Sequence, residues 1–177
     1  MIYFDNAATS FPKPESVNKM IDYVNRNLAV NAGRGGYKLA KEASKMIEEA
    51  RYNMAKLFGV QVDSVVFSPS ATYAMNTIIN GLEWTPSKTV YVTPFEHNAV
   101  MRPLQLKHEQ YASQYHIMPF ESKDFSLDVD ELERMFARNE PDYVFINHAS
   151  NVVGAISPVE TISKIARKYN LPGRTVV

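Results

Sequence analysis

"TVYVTPFEHNAVMRPLQLKH", Thr89 to His108, is the stretch whose reading decides the fold. Thr89-Val-Tyr-Val-Thr93 is a short run of β-branched and aromatic residues and reads as a strand. Asn98 to His108 reads as a helix, and Pro94-Phe-Glu-His-Asn98 gathers polar groups between the two, at the strand's carboxyl end. The same rhythm recurs along the chain. Val65-Val-Phe67, Tyr115-His-Ile-Met118 and Asp142-Tyr-Val-Phe-Ile-Asn147 read as further strands, with helices over Ala71–Leu82 and Asp128–Arg138 among them. A last helix opens at Ser157-Pro158-Val159-Glu160, with Ser as N-cap, Pro at the first helical position and Glu at the third, and runs to about Tyr169. Asp128-x-x-Glu131 resembles a second capping box. Strands alternating with helices imply an α/β fold, a mostly parallel sheet with helices on both faces and right-handed crossovers. Such sheets place ligands beyond the carboxyl ends of their strands.

Upstream, Val17, Met20, Ile21, Val24 and Leu28 fall at helical spacing after Pro12 and Pro14. Asn31-Ala-Gly-Arg-Gly-Gly-Tyr37 holds three glycines in four positions and reads as a loop, followed by a long helix from Lys38 to Phe58 that Gly59 stops. The 177 residues suit one domain or one domain plus a fragment, and 45% hydrophobic content can supply a core. Nineteen basic and nineteen acidic residues cancel, so neither nucleic acid nor an anionic membrane is expected as a partner. Small-molecule chemistry is the better expectation. The absence of cysteine excludes disulfides, Cys-based metal sites and a thiol nucleophile within these residues. The start MIYFDNAATS lacks a basic segment followed by an apolar one, and no stretch approaches membrane-spanning length; a soluble cytoplasmic protein is expected.

The residues after each strand are the candidates for chemistry. Ser68-Pro-Ser-Ala-Thr72 enters a helix, where free N–H groups, the positive dipole end and two hydroxyls would cradle a phosphate. Plain capping by Ser70 or Thr72 explains the same residues. His97 could stack on a flat ligand or pass a proton, or be a surface histidine beside a capping Asn98. Asn151 could hold a ligand oxygen, while Asn147 and His148 could equally satisfy backbone groups in a turn. Together the three junctions aim phosphate, stacking and amide functions at one sheet edge. A phosphorylated aromatic cofactor would use all three.

The segments "YFDNAATSFPKP", "NAGRGGYKLA", "FSPSATYAMNTIINGL", "FEHNAVMRPL" and "INHASNVVGAISPVETISKIARKYN" resemble successive landmarks of the class V aminotransferase family, in its cysteine desulfurase and selenocysteine lyase branch. The resemblance runs from Tyr3 to about Asn170 and covers about the first half of a family member. It implies pyridoxal 5′-phosphate as cofactor, with Ala71 and Thr72 holding the phosphate, His97 stacking on the pyridine ring, and Asn151 meeting its phenolic oxygen. It places Asn6, Ala7 and Ala8 near a cysteine-like substrate, and Arg34 in a loop near the active-site mouth or a dimer interface.

The resemblance also implies groups that these residues do not hold: an Asp for the pyridinium nitrogen, a Gln, a Ser-x-His-Lys run with the Schiff-base lysine, a loop cysteine and a carboxylate-binding arginine. "PGRTVV", from Pro172, does not look like the apolar strand such a protein has next. The implied organisation is therefore an N-terminal segment and helix over 1–30 and an incomplete fold type I pyridoxal-phosphate large domain over 31–177. The implied function is that of a cysteine desulfurase-like protein, L-cysteine to L-alanine plus enzyme-bound sulfur, with this chain catalytically incomplete and binding the cofactor weakly or not at all. A non-catalytic fragment stable only as a homo-oligomer, or half of a selenocysteine lyase or class V transaminase, would share these motifs. In the family's sheet the first strand pairs with the last, so Val65–Phe67 is expected to lack its neighbour. The strand at Asp142–Asn147 is expected to have an open edge unless a second chain covers it.

Overall fold

Along Thr89–Val92 (β1) successive side chains must point to opposite faces of the sheet. Val90 and Val92 enter one apolar cluster and Tyr91 enters another. Tyr143–Phe145 (β3) divides the same way, Tyr143 and Phe145 joining Val90 and Val92, while Val144 and the following Ile146 join Tyr91. Both faces are therefore dry, which is why these strands carry continuous apolar runs rather than alternating polarity. Gln114–Ile117 (β2) completes a sheet of order β2-β1-β3, with both neighbours of β1 parallel to it. Helices Ala71–Gly81 (α3) and Asn98–Tyr111 (α4) fill one face with Ile79, Val100 and Leu104 around Trp84. Val129–Arg138 (α5) and Val159–Tyr169 (α6) fill the other with Leu132, Phe136, Ile162 and Ile165. The α/β architecture expected from the sequence is present, a parallel sheet with helices on both faces.

The protein is described by a computed structural model covering residues 2–169. The expectations for "PGRTVV" lie outside the described residues. The chain forms two compact units, one ending at Phe67 and one beginning at Ser68. The first unit holds the first helix, Glu15–Asn27 (α1), and the long helix Lys38–Phe58 (α2), which packs with the 3₁₀ turn Val62–Ser64 that follows it.

Within the first unit Gly59 ends α2 in the left-handed region, φ 66°, returning its N–H to the Ala55 carbonyl. The glycine-rich loop is pinned by the Asn31 carboxamide, which accepts the Gly33 N–H at 2.9 Å, and by the Ser44 hydroxyl on the Ala32 carbonyl at 2.5 Å. Gly35 is needed for close approach: a Cβ there would stand 2.5 Å from the Tyr37 ring and 2.6 Å from the Ala40 methyl.

Two local expectations are corrected. Val65–Phe67 is not a strand; it has no partner strand among the described residues, Val66 is 83% exposed, and the Arg51 guanidinium takes the Val65 carbonyl and lies over the Phe67 ring. An apolar β-branched run becomes a strand only where another chain segment answers its N–H and C=O groups. Ser157 does not cap α6; its hydroxyl donates instead to the Asn147 carbonyl at 2.7 Å, and the helix begins at Val159. Asp128 does cap α5, accepting the Glu131 N–H at 2.9 Å. Among the described residues no helix is long and apolar enough to cross a membrane, and no group of three or more His, Cys, Asp and Glu could hold a metal ion.

Candidate functional site

At the carboxyl ends of β1 and β3, within the second unit, lies a cavity of about 250 Å³. Ala71 and Met75 of α3 line it, as do Glu96, His97 and Val100 from the junction into α4, and Phe145, Ile146 and Asn147 from the end of β3. Each of the three junctions singled out in the sequence thus contributes a residue.

The α3 junction presents a helix start. Ser70 is its cap, with Oγ accepting the Tyr73 N–H at 3.1 Å, so the capping explanation of the Ser70 hydroxyl holds. Capping leaves the N–H groups of Ala71 and Thr72 outside the intrahelical ladder, and they sit at the positive end of the helix. Thr72 is exposed and does not line the cavity, while Ala71 does. An anion meeting this end would therefore be held by backbone groups.

At the α4 junction His97 is the N-cap itself, and Asn98 is the first helical residue. His97 Nδ1 accepts the Ala99 N–H at 3.1 Å, which assigns any proton of the neutral ring to Nε2. The ring is exposed at the cavity, able to stack or to donate.

At the β3 junction Asn147 does what the turn-satisfying alternative required. Its Nδ2 donates to the Phe95 carbonyl at 2.6 Å, its N–H donates to Glu96 Oε1 at 2.6 Å, and its carbonyl accepts Ser157. Asn151 does not line the cavity. It stands exposed at the tip of a small hairpin closed by the Ala149–Ile156 bridge. Buried Ser150 organises that hairpin, its Oγ accepting the Val152 and Val153 N–H groups at 3.3 and 3.2 Å, and Gly154 turns it at φ 70°. Asn6, Ala7, Ala8 and Arg34 belong to the first unit. There the Asn6 carboxamide accepts the Phe11 N–H at 3.1 Å, and the Ala8 N–H returns to the Asp5 carbonyl.

Sequence reading passed over Glu96. Its Oε1 accepts the buried Thr93 hydroxyl at 2.7 Å as well as the Asn147 N–H. The Thr-x-x-Glu spacing at a strand end was the available signal; the second donor lies 51 residues away and was invisible. Burial pushes the Glu96 carboxyl above its ordinary value of 4.5, while the bonds from Thr93 and Asn147 pull the other way. The folded chain therefore keeps this proton to a higher pH than the unfolded chain. The linked stability is present in full below the ordinary carboxylate value and is lost as pH rises through the folded one. Glu96→Gln cannot ionise and keeps an acceptor oxygen, so its melting temperature relative to the parent should climb from acid to neutral pH. Melts of both chains across that range check this; a difference that does not vary with pH would contradict it.

The donor set suits a phosphorylated aromatic cofactor at two points, a helix start for the phosphate and an imidazole at the cavity for the ring, while the amide at Asn151 stands outside the cavity lining.

Comparison with known proteins bears on this arrangement. The family model described as Aminotransferase class-V matches residues 2–172. The chain is 28% identical over 173 residues to the cysteine desulfurase IscS of Dictyoglomus turgidum, covering 96% of the chain and 43% of that protein. Among solved structures, the apo cysteine desulfurase of Thermococcus onnurineus is similar with a TM-score of 0.84 and 26% identity, over 95% of the chain and 42% of its own. A C-DES variant with glycine covalently linked to its PLP cofactor shares the fold at a TM-score of 0.70 and 17% identity, over 91% of the chain and 40% of its own. The chain thus spans about two fifths of the length of these relatives.

Proposed function

The chain belongs to the class V aminotransferase family, which is dependent on pyridoxal phosphate, and from that premise we propose that residues 1–177 are the cofactor-cradling part of a cysteine desulfurase-like protein. In this reading the whole protein takes sulfur from L-cysteine, leaves L-alanine, and works as a homo-oligomer. The observation that carries it is the cavity where the start of α3, His97 and the end of β3 meet. When bound, the cofactor supplies an electron sink for charge developing beside an amino acid's α-carbon. The chain's own residues bind and orient. The α3 N–H groups of Ala71 and Thr72 hold the phosphate with the helix dipole behind them. The His97 ring would stack on the pyridine while Nδ1 stays tied to Ala99, and apolar Met75, Val100 and Phe145 line the cavity wall. These 177 residues contain no cysteine, so the sulfur-accepting thiol of such a protein lies in polypeptide outside them.

The chain's single tryptophan, Trp84, is buried in the cluster that includes Val100 and Phe145, and so reports on the cavity wall. Titration with pyridoxal phosphate should quench it saturably and weakly, inorganic phosphate should compete, and His97→Ala should weaken binding about fivefold, as for the loss of one stacking contact of about 1 kcal/mol. L-cysteine added to the loaded chain should yield no sulfide. Quenching indifferent to both phosphate and His97→Ala would sink the reading.

A further inference from the structure

We propose that Glu96 is the positioning residue of this site, a carboxylate that locks the His97 junction to the carboxyl end of β3 and so sets the direction of the imidazole; this rests on the cofactor reading above. One oxygen, Oε1, gathers two donors that no local sequence could bring together, the Thr93 hydroxyl at 2.7 Å and the Asn147 N–H at 2.6 Å. Asn147 replies through its side chain, which donates to the Phe95 carbonyl at 2.6 Å. The residue immediately before Glu96 is thus held by Asn147, Glu96 itself holds Asn147, and the residue immediately after is His97. Among the described residues the imidazole then has one anchor of its own, Ala99 N–H into Nδ1.

Two features set this apart from ordinary strand-end capping. Glu96 lines the cavity, and among the described residues no salt-bridge partner offsets its charge. A half-buried carboxylate with no ionic partner is a costly way to join two loops when an amide would serve. Residues held at such cost cluster at sites of chemistry. Losing the carboxylate would leave Thr93, which is 1% exposed, and the Asn147 N–H without their acceptor. The junction would relax, and His97 with it.

The test uses the 177-residue chain and two readouts. The first, which needs no cofactor, is the ¹⁵N spectrum of the His97 ring. The parent and Glu96→Gln should show one tautomer with Nδ1 as acceptor, whereas Glu96→Ala should show averaged nitrogen shifts. Thr93→Val, which keeps the shape but removes the hydroxyl that donates to Glu96 and accepts the Phe95 N–H, should move the signals part of the way and stands in if Glu96→Ala fails to fold. The second is pyridoxal phosphate affinity by Trp84 quenching. Glu96→Ala should weaken it about fivefold, like His97→Ala, and the double variant should be no weaker than either single one, because Glu96 acts through His97. Glu96→Gln should stay within about twofold of the parent. Unchanged His97 shifts in Glu96→Ala, or in Thr93→Val, overturn the proposal, as does a double variant whose loss is the product of the two. A parent chain that binds no cofactor sinks the cofactor reading, and the ring spectrum still decides the role of Glu96.

Discussion

Phe136→Ala is expected to destabilise the sheet-bearing unit by about 3–5 kcal/mol, the range for emptying a fully buried aromatic position. Phe136 is 0% exposed and packs edge-on against Tyr91 at 4.5 Å between ring centroids. Tyr91 cannot follow it into the space left behind, because its hydroxyl is tied to the Met135 and Asn139 carbonyls at 3.0 and 2.9 Å. Burial also pushes the Tyr91 hydroxyl up to about 12, so it remains a donor throughout the neutral range. Trp84 lies in the cluster on the opposite face of the sheet. Urea unfolding followed by Trp84 fluorescence therefore tests cooperativity as well as magnitude: the transition should move to markedly lower urea in the variant. A Trp84 transition that stays in place would mean the two faces unfold independently.

Asp142→Ala is expected to cost about as much, roughly 3–5 kcal/mol, because it strips the poorly solvated Lys88 ammonium of its carboxylate and leaves it facing the Tyr143 ring. Asp142 stands just before β3. Its carboxylate accepts Lys88 Nζ at 3.0 Å and the Thr89 N–H at 2.9 Å, and its own N–H donates to the Thr89 carbonyl. The Lys88 and Asp142 side chains are only 12% and 19% exposed, so water screens this pair poorly. The pair fastens the leading ends of β1 and β3, as Glu96 and Asn147 fasten their trailing ends. Asp142→Asn, which keeps an acceptor for Thr89, should recover part of the loss, and Lys88→Met combined with Asp142→Ala should recover more than it adds. Melting temperatures of the three variants check this. A double variant no better than Asp142→Ala would show that the lysine left without its carboxylate is not the source of the cost.

The sheet was legible because burial on both faces writes itself into the chain as short apolar runs, and the helices because capping and glycine stops are local. Val65–Phe67 carries the same kind of run and still is not a strand. Pairing is a property of two segments, and the run records only one. The site was legible in the same partial way. Ser70, His97 and Asn147 were visible as polar groups at strand ends, yet only a three-dimensional arrangement separates a residue that lines a cavity from one that ties a loop. Asn151 read as a ligand group and stands at an exposed hairpin tip; Ser157 read as a cap and serves the Asn147 carbonyl.

What the sequence determined by itself has a short range: the alternation of strand and helix, the parallel sheet it entails, the cap at Asp128, and the stop at Gly59. Dihedral preference and hydrophobic periodicity act over a few residues and are encoded there. The tertiary structure alone decided which strand ends share a cavity, that Glu96 meets a donor 51 residues away, and that Asp142 meets Lys88 54 residues away. Those contacts depend on the register and order of strands. That order follows from the summed burial of both faces of the sheet, a quantity no single stretch of chain contains.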